Sequence, residues 1–385
     1  MAPPNPHQWL CERFGQYYHS TPMPNIMPRI ERREFGFGGW EKKIEFRHMT
    51  FRSHEDLRMA LARDRPLFCS ASSAYYEFPD ARPMPKKHWL GADLVFDLDA
   101  AAHTCAPFTC PECMSKINSQ MIHLVEDFLL DDFGLSRGEL QISFSGSRGY
   151  HVRAYKKEIE PLDRDGRREV VDYIEGGGLS FDAFFDSNFK VENLELRRTV
   201  FERLTGPTPA SAGYAGKFAR RVVALASEPA SAVQISPKLK NKEKAHKFVE
   251  GVKAGDWSKV DLKGEKAALA AIFESLKVQS ASELETDANV TLDTSKILRM
   301  PDTIHGGSGL VAKTIPAGVD LGSYEPMHTA LAFAMDKRET IVTSRAIPSI
   351  SLGGQTFDAI ESGKKIELPA AYAIYLVCKK AAVPV

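Results

Sequence analysis

Apolar and polar positions follow two different periods along this chain, and the changes of period mark its parts. Ala92-Asp-Leu-Val-Phe-Asp-Leu-Asp99 is a short, mostly apolar run that reads as a buried strand. From Met114 to Phe133 the spacing becomes helical, with Met114, Ile117, Met121, Val125, Phe128 and Leu129 on one stripe and Gly134 as the stop. Leu140 to Ser145 and His151 to Tyr155 return to strand-like sequence. Gly146-Ser-Arg-Gly149 lies between them and predicts a hairpin turn. Nearer the N-terminus, Ser53-His-Glu-Asp56 has the form of a helix start with Ser53 as N-cap, and the helix should run to about Arg63. Residues 167–204 and 238–277 read as polar helices, broken at Gly176-Gly-Gly178 and Gly206-Pro207. Strand-like and turn-like sequence resumes over 287–315, and a further apolar segment spans Ala370 to Val377. No internal repeat or low-complexity tract is present.

Composition adds bounds rather than an answer. With 385 residues, 43% hydrophobic and 26% charged, the chain can bury a substantial core. Lys plus Arg equals Asp plus Glu at 50 each, so net charge is silent about a nucleic-acid partner and local distribution has to speak instead. Residues 29–52 are basic and aromatic, including Arg32, Arg33, Phe37 and Trp40. Lys238, Lys240, Lys242, Lys244 and Lys247 form the most basic stretch, and such a run is usually a solvated face. No stretch approaches the roughly 20 apolar residues of a membrane helix, and Met1 to His19 lacks a secretory pattern. Of six cysteines, Cys105, Cys110 and Cys113 crowd together, whereas a disulfide framework would be spread more evenly. The reading is a reduced, cytoplasmic protein with one metal knuckle.

Four constellations carry chemistry. Asp97 and Asp99 are two apart on a strand and so share a face. Adjacent carboxylates repel, and a divalent cation with oxygen ligands, Mg²⁺ or Mn²⁺, relieves the repulsion. Two such ions about 4 Å apart can clamp a phosphoryl displacement. A third carboxylate is wanted from elsewhere, with Asp287 and Asp293 as candidates. Alone, an Asp-x-Asp would be no more than a strand end at a surface turn. The second constellation is Ser145-Gly-Ser-Arg148-Gly-Tyr-His151. Its glycines let backbone N–H groups approach phosphate oxygens, and Ser145, Arg148 and His151 add donors that a plain hairpin does not need. The third is His103, Cys105, Cys110 and Cys113, where Cys110-Pro-Glu-Cys113 has the spacing that lets two thiolates share a Zn²⁺ ion. Three thiolates and one imidazole leave no open position, so the site is structural; His123 is the alternative fourth ligand. The fourth is Lys296 to Leu310, where Arg299 and His305 flank a proline and a Gly-rich turn and could touch phosphates.

Taken in order, these motifs resemble the small catalytic subunit of archaeo-eukaryotic DNA primases, particularly the archaeal type. Arg33-Glu-Phe-Gly-Phe37, Trp89 to Asp99, and Ile297-Leu-Arg-Met-Pro301 through His305-Gly-Gly-Ser-Gly-Leu310 carry the resemblance, which runs from about residue 30 to 340. It implies an α/β primase catalytic fold with an RRM-like mixed sheet and a zinc knuckle at 103–113. The catalytic domain would comprise 1–165 and 285–385, with 166–284 as a largely helical insertion. It further implies that Asp97, Asp99 and Asp287 are the catalytic ligands of Mg²⁺ or Mn²⁺, with Asp293 the rival of Asp287. Ser145, Arg148, His151, Arg299 and His305 would bind the nucleotide, and Glu34 and Arg47 would face the active site. The partners implied are a single-stranded DNA template, nucleoside triphosphates and a primase large subunit, in a heterodimer that makes short RNA or DNA primers. Two departures are visible: Ala101 stands near a position often acidic in archaeal relatives, and Ser147-Arg148 replaces the paired arginines of the eukaryotic hairpin. The rival readings are a repair or mobile-element primase-polymerase of the same superfamily, and a non-catalytic zinc-bearing nucleic-acid-binding protein.

Overall fold

The computed structural model describes residues 4–24, 27–100, 106–109, 111–194, 197–259, 262–283 and 287–385. Two compact units emerge. The first comprises Met1–Ile122, Ser136–Arg168 and Glu285–Val385; the second comprises His123–Leu135 and Glu169–Leu284.

The first unit is built on small antiparallel sheets. One has four strands in the order Thr314–Ile315, Leu140–Phe144, Gly149–Ala154, Leu94–Asp99. A second has the order Ile297–Arg299, Phe68–Ser72, Phe35–Gly38, Phe46–Met49. The first sheet shows how a helical crossover and a tight hairpin combine. After Leu94–Asp99 the chain passes through helix Pro111–His123 and returns as Leu140–Phe144, running in the same direction. The hairpin strand Gly149–Ala154 then inserts between these two, antiparallel to both, pairing Asp97 with His151 and Ser143 with His151. The mixed sheet implied by the resemblance is corrected on this point: every described strand pairing is antiparallel.

Local signals account for the elements. Ser53 accepts the Asp56 N–H at 3.0 Å and caps the helix His54–Asp64, which ends at Arg65 in the left-handed region (φ 52°). The helix from Pro111 continues past His123 with wider turns over Leu124–Asp132. The Phe133 N–H reaches back five residues to Phe128 O at 2.8 Å. The apolar run at the C-terminus is a helix, Ala370–Cys378, buried along its whole length.

The start of the carboxylate strand is fastened by buried charge. Asp93 precedes it, is fully buried, and is paired with Arg33 at 2.7 Å. Tyr75 bridges the two, accepting from Arg33 Nη2 at 2.6 Å and donating to Asp93. Arg167 Nη1 adds a bond to Asp93 O at 2.9 Å. A charge pair of this kind is tolerated inside because its hydrogen-bonding capacity is filled.

In the second unit, helices Gly213–Ser227 and Leu262–Glu283 contribute to an aromatic core, and Lys242–Lys253 packs on the first of them. Phe218 stacks on Trp257 with centroids 5.9 Å apart, and Phe181 and Phe273 pack edge-on to Phe218. The expectation of helix over 167–204 is corrected here: helix Arg164–Ile174 gives way to a hairpin of Asp186–Leu194 and Arg197–Thr205. Asn188-Phe-Lys-Val-Glu192 alternates polar and apolar residues with a period of two, which suits a strand. The lysines of 238–247 are all exposed, and Lys247 pairs with Glu243 at 2.9 Å along its own helix.

Candidate active site

Asp97 and Asp99 project from the same face of their strand, as their spacing requires. One oxygen of Asp97 is buried and has no hydrogen-bond partner. His151 Nε2 stands 3.2 Å from it, close enough for an ion pair but not aligned as a hydrogen bond. Burial disfavours charge on Asp97, but His151, Arg153 and Lys43 together outweigh it and hold the carboxyl below its usual range. Asp99 goes the other way: loss of water raises its carboxyl, and the neighbouring Asp97 charge raises it further. Residue Asp99 as a whole is exposed, yet its carboxyl lies back over Gly149. A Cβ at Gly149 would fall 2.4 Å from Asp99 Oδ1 and 2.0 Å from Leu98 O, so only glycine lets the hairpin reach this strand end.

Asp287 is brought to this strand by its backbone. Its N–H donates to Asp97 O at 3.0 Å, and Thr291 Oγ1 on the following short helix donates to Val95 O at 2.7 Å. Its carboxylate accepts the Asn289 N–H at 3.0 Å and stands 3.7 Å from Lys296 Nζ. Asp293 Oδ1 is taken up by its own turn, accepting from Ser295 N and Oγ. Among the described residues, no three His, Cys, Asp or Glu side chains are gathered as a metal cluster. His103, Cys105 and Cys110 lie outside the described residues; Cys113 belongs to the helix Pro111–His123. His123, the alternative ligand, contacts Asp127 of its own helix.

The hairpin and the late loop meet. Ser145 closes the hairpin, its N–H donating to Gly149 O at 2.8 Å and its Oγ accepting the Gly149 N–H at 3.2 Å. Gly146 (φ 83°) has no room for a side chain, because a Cβ there would fall 2.7 Å from His305 Cβ. Ser308 Oγ donates to Gly146 O and ties the two loops together. His305 is half-buried against the Phe68 ring at 5.5 Å, and its Nδ1 accepts the Gly307 N–H at 3.0 Å. The proton of the neutral ring is therefore on Nε2. Burial first, then Arg299, Lys379 and Lys43, push its pKa well below the ordinary histidine value. Arg299 is buried too, and burial pushes it down to about 10. Its Nε has no hydrogen-bond partner, and its guanidinium lies 4.8 Å from the Phe68 ring centre. Arg153 braces the two sheets, donating to Arg299 O at 2.9 Å.

Glu34 is fully buried between Arg47 at 2.8 Å and Lys87 at 3.5 Å. Three cations were not singled out by the sequence. Lys43, on the turn after Phe35–Gly38, acts on Asp97, Asp99 and His305. Lys87 partners Glu34, and Lys379 follows the C-terminal helix. No local motif marks any of them; only the fold brings them in. A cavity of about 780 Å³ lined by Phe108, Met114, Tyr150, Tyr324 and Met327 lies on the other side of the hairpin strand, since Tyr150 alternates with His151.

Paired carboxylates with cations on neighbouring loops are an arrangement that can serve phosphoryl transfer. The family model for the DNA primase small subunit matches residues 96–316. The chain is 30% identical to the DNA primase small subunit PriS of Methanosarcina acetivorans, with 97% of this chain and 95% of that protein covered. It is 29% identical to that of Methanothrix thermoacetophila (96% and 97% covered) and 30% identical to that of Thermoplasma acidophilum (97% and 99% covered). The chain belongs to the DNA primase small-subunit family, of the archaeal type, whose members are nucleotidyltransferases.

Proposed function

We propose that this chain is the catalytic subunit of a DNA primase that joins nucleotides on a single-stranded DNA template by two-metal-ion nucleotidyl transfer, making short RNA or DNA primers. The observation that carries the reading is the buried Asp97 oxygen that accepts no hydrogen bond, with Asp99 beside it and His151, Arg153 and Lys43 close by. This oxygen set fits Mg²⁺ or Mn²⁺, with Asp97, Asp99 and Asp287 as the residues that would hold it. Bound there, the ions would supply activation of the primer 3′-hydroxyl and neutralisation of the pyrophosphate.

The protein's own part is positioning. Arg148, His151, Arg299 and His305, with the hairpin amides after Ser145, hold the triphosphate. His305 does so as a neutral donor through Nε2, so it can bind phosphate without a proton being taken up. Because the loops that carry these groups are tied by hydrogen bonds before the nucleotide arrives, less reorganisation is needed at the moment of reaction. The four-stranded antiparallel sheet that ends at Asp99 is the RRM-like core that presents the carboxylates and the hairpin, and the neighbouring sheet presents Arg299. His103, Cys105, Cys110 and Cys113 form a donor set suited to a structural Zn²⁺. The relatives are named small subunits, which supports a large-subunit partner in a heterodimer. Among the described residues no helix is long and apolar enough to cross a membrane, and a cytoplasmic location fits a replication enzyme.

The deciding test is primer synthesis on single-stranded DNA with and without divalent metal. The expected result is dinucleotide and primer formation that needs Mg²⁺ or Mn²⁺ and stops when both are withheld. Template binding with no synthesis under any metal would instead support a non-catalytic nucleic-acid-binding protein.

A further inference from the structure

The C-terminal helix Ala370–Cys378 is packed against the late loop and is linked to the hairpin through Thr109. On the late loop, Gly309 (φ 70°) has Ile374 against it: a Cβ there would fall 2.8 Å from Ile374 Cγ2 and 3.5 Å from Cys378 Sγ. On the hairpin side, the Tyr375 hydroxyl accepts the Thr109 N–H at 3.2 Å, and Thr109 Oγ1 donates to Ser147 O at 3.2 Å. The next residue, Lys379, is therefore carried to the junction of the two loops by fixed backbone, its own N–H bonding Tyr375 O at 2.9 Å.

Lys379 is only 8% exposed. Among the described residues its ammonium has no carboxylate within ion-pair distance, and its recorded side-chain contact is the Tyr375 ring, 5.3 Å away. Burial, then the like charge of Arg148, push its pKa down to about 8. A lysine buried beside an arginine without an anion works against the fold. The two cations share one environment, and what would satisfy both is a multiply charged anion entering between the loops.

We propose that Lys379 is a phosphate-binding residue of the active site, contacting the triphosphate of the incoming nucleotide together with Arg148 and His305. The assignment rests on the reading of the hairpin and late loop as the triphosphate cradle. It adds to them a third segment, some seventy residues further along the chain, that no motif in the sequence marks.

The test compares Lys379→Met, Lys379→Arg and Arg148→Ala in the full-length protein. Readouts are KM and kcat for nucleotide, inhibition by inorganic pyrophosphate, template affinity and thermal midpoint. Lys379→Met should raise nucleotide KM by roughly tenfold to a hundredfold, the range of a hydrogen bond to a charged group. Pyrophosphate inhibition should weaken in parallel, with kcat changing less and template affinity unmoved. Lys379→Arg should recover most of the loss. The thermal midpoint without nucleotide should hold or rise, because an unpaired buried charge has been removed. If Arg148→Ala weakens nucleotide and pyrophosphate binding while Lys379→Met does not, Lys379 is not a phosphate ligand. If neither variant moves them, the cradle itself is misplaced. A Lys379→Met protein that fails to fold would also overturn the assignment, because it would make the charge a structural one.

Discussion

The two ends of one strand treat carboxylates in opposite ways. At the start, Asp93 is buried and saturated by Arg33, Tyr75 and the packing around Arg167. Four residues on, Asp97 is half-buried, one of its oxygens has no hydrogen bond, and Asp99 beside it adds a second negative charge. The same residue type is a saturated fastening just before the strand and a carboxylate short of hydrogen bonds further along it. A charge that holds a fold is given its partners by the fold. A charge that serves a ligand is left without some of them. The same division runs through the cations: Arg33 is fully paired, whereas Arg299 and Lys379 are buried without a carboxylate partner among the described residues.

The strongest way to break this contrast is to substitute both ends. Asp97→Ala or Asp99→Ala should abolish primer synthesis, a loss of about a thousandfold or more for an interaction worth several kcal/mol in the transition state. For Asp99→Ala the thermal midpoint should not fall, since mutual repulsion is relieved. Near-normal synthesis with Mg²⁺ or Mn²⁺ would remove Asp97 and Asp99 from the chemistry. At the other end, Arg33→Met should cost about 3–5 kcal/mol of stability, because Asp93 is left charged and alone in the interior. Denaturant unfolding measures this directly. If Arg33→Met were as stable as the parent while Asp97→Ala unfolded, the two ends would have been assigned the wrong way round.

How much of this was legible beforehand depends on the range of the contacts. The Ser53 cap, the stripe from Met114 and the hairpin around Gly146 are local signals, and the structure has an element at each of them. Asp97 and Asp99 share a face because a strand has a period of two, which needs no tertiary knowledge. The hairpin at Asp186–Thr205 was misread because flanking polar residues masked its alternation over so short a span. Lys43 and Lys379 were invisible for a different reason. Their position is set by how a turn and a terminal helix pack, and nothing adjacent to them in sequence announces it. The likeness of Glu34 to a family position was readable, but not that Lys87 would be buried against it.

Arg148→Ala sharpens the cationic half. Losing a charge-assisted contact to phosphate should cost roughly 1.5–3 kcal/mol, about a tenfold to hundredfold fall in kcat/KM for nucleotide. His305→Ala should act in the same direction. Their loops meet where Gly146 touches His305, and the two residues would share one ligand, so the double variant should lose less than the sum of the two single changes. Nucleotide titration beside single-stranded template titration decides the matter. If Arg148→Ala weakens template binding and leaves nucleotide binding untouched, the hairpin lies on the template path.

The smallest effect concerns the proton that His305 refuses. In the folded chain its pKa lies well below 6.5, burial being the main cause, with Arg299 and Lys379 adding to it. In the unfolded chain it titrates near the ordinary value of about 6.5. Below that pH the unfolded state takes up a proton that the folded state does not. The stability contributed by keeping this ring neutral is therefore fully present above about pH 6.5 and falls as the solution is acidified, by at most about 1.4 kcal/mol per pH unit for one proton. His305→Gln keeps a donor of similar reach and removes the titration. Unfolding curves at pH 7.5 and 5.5 should then show a smaller acid loss for the variant than for the parent. Equal slopes would mean that His305 takes up its proton in the folded state as readily as in the unfolded one. In that case it could not be a neutral donor, and it would meet the phosphates as a third cation beside Arg148 and Arg299.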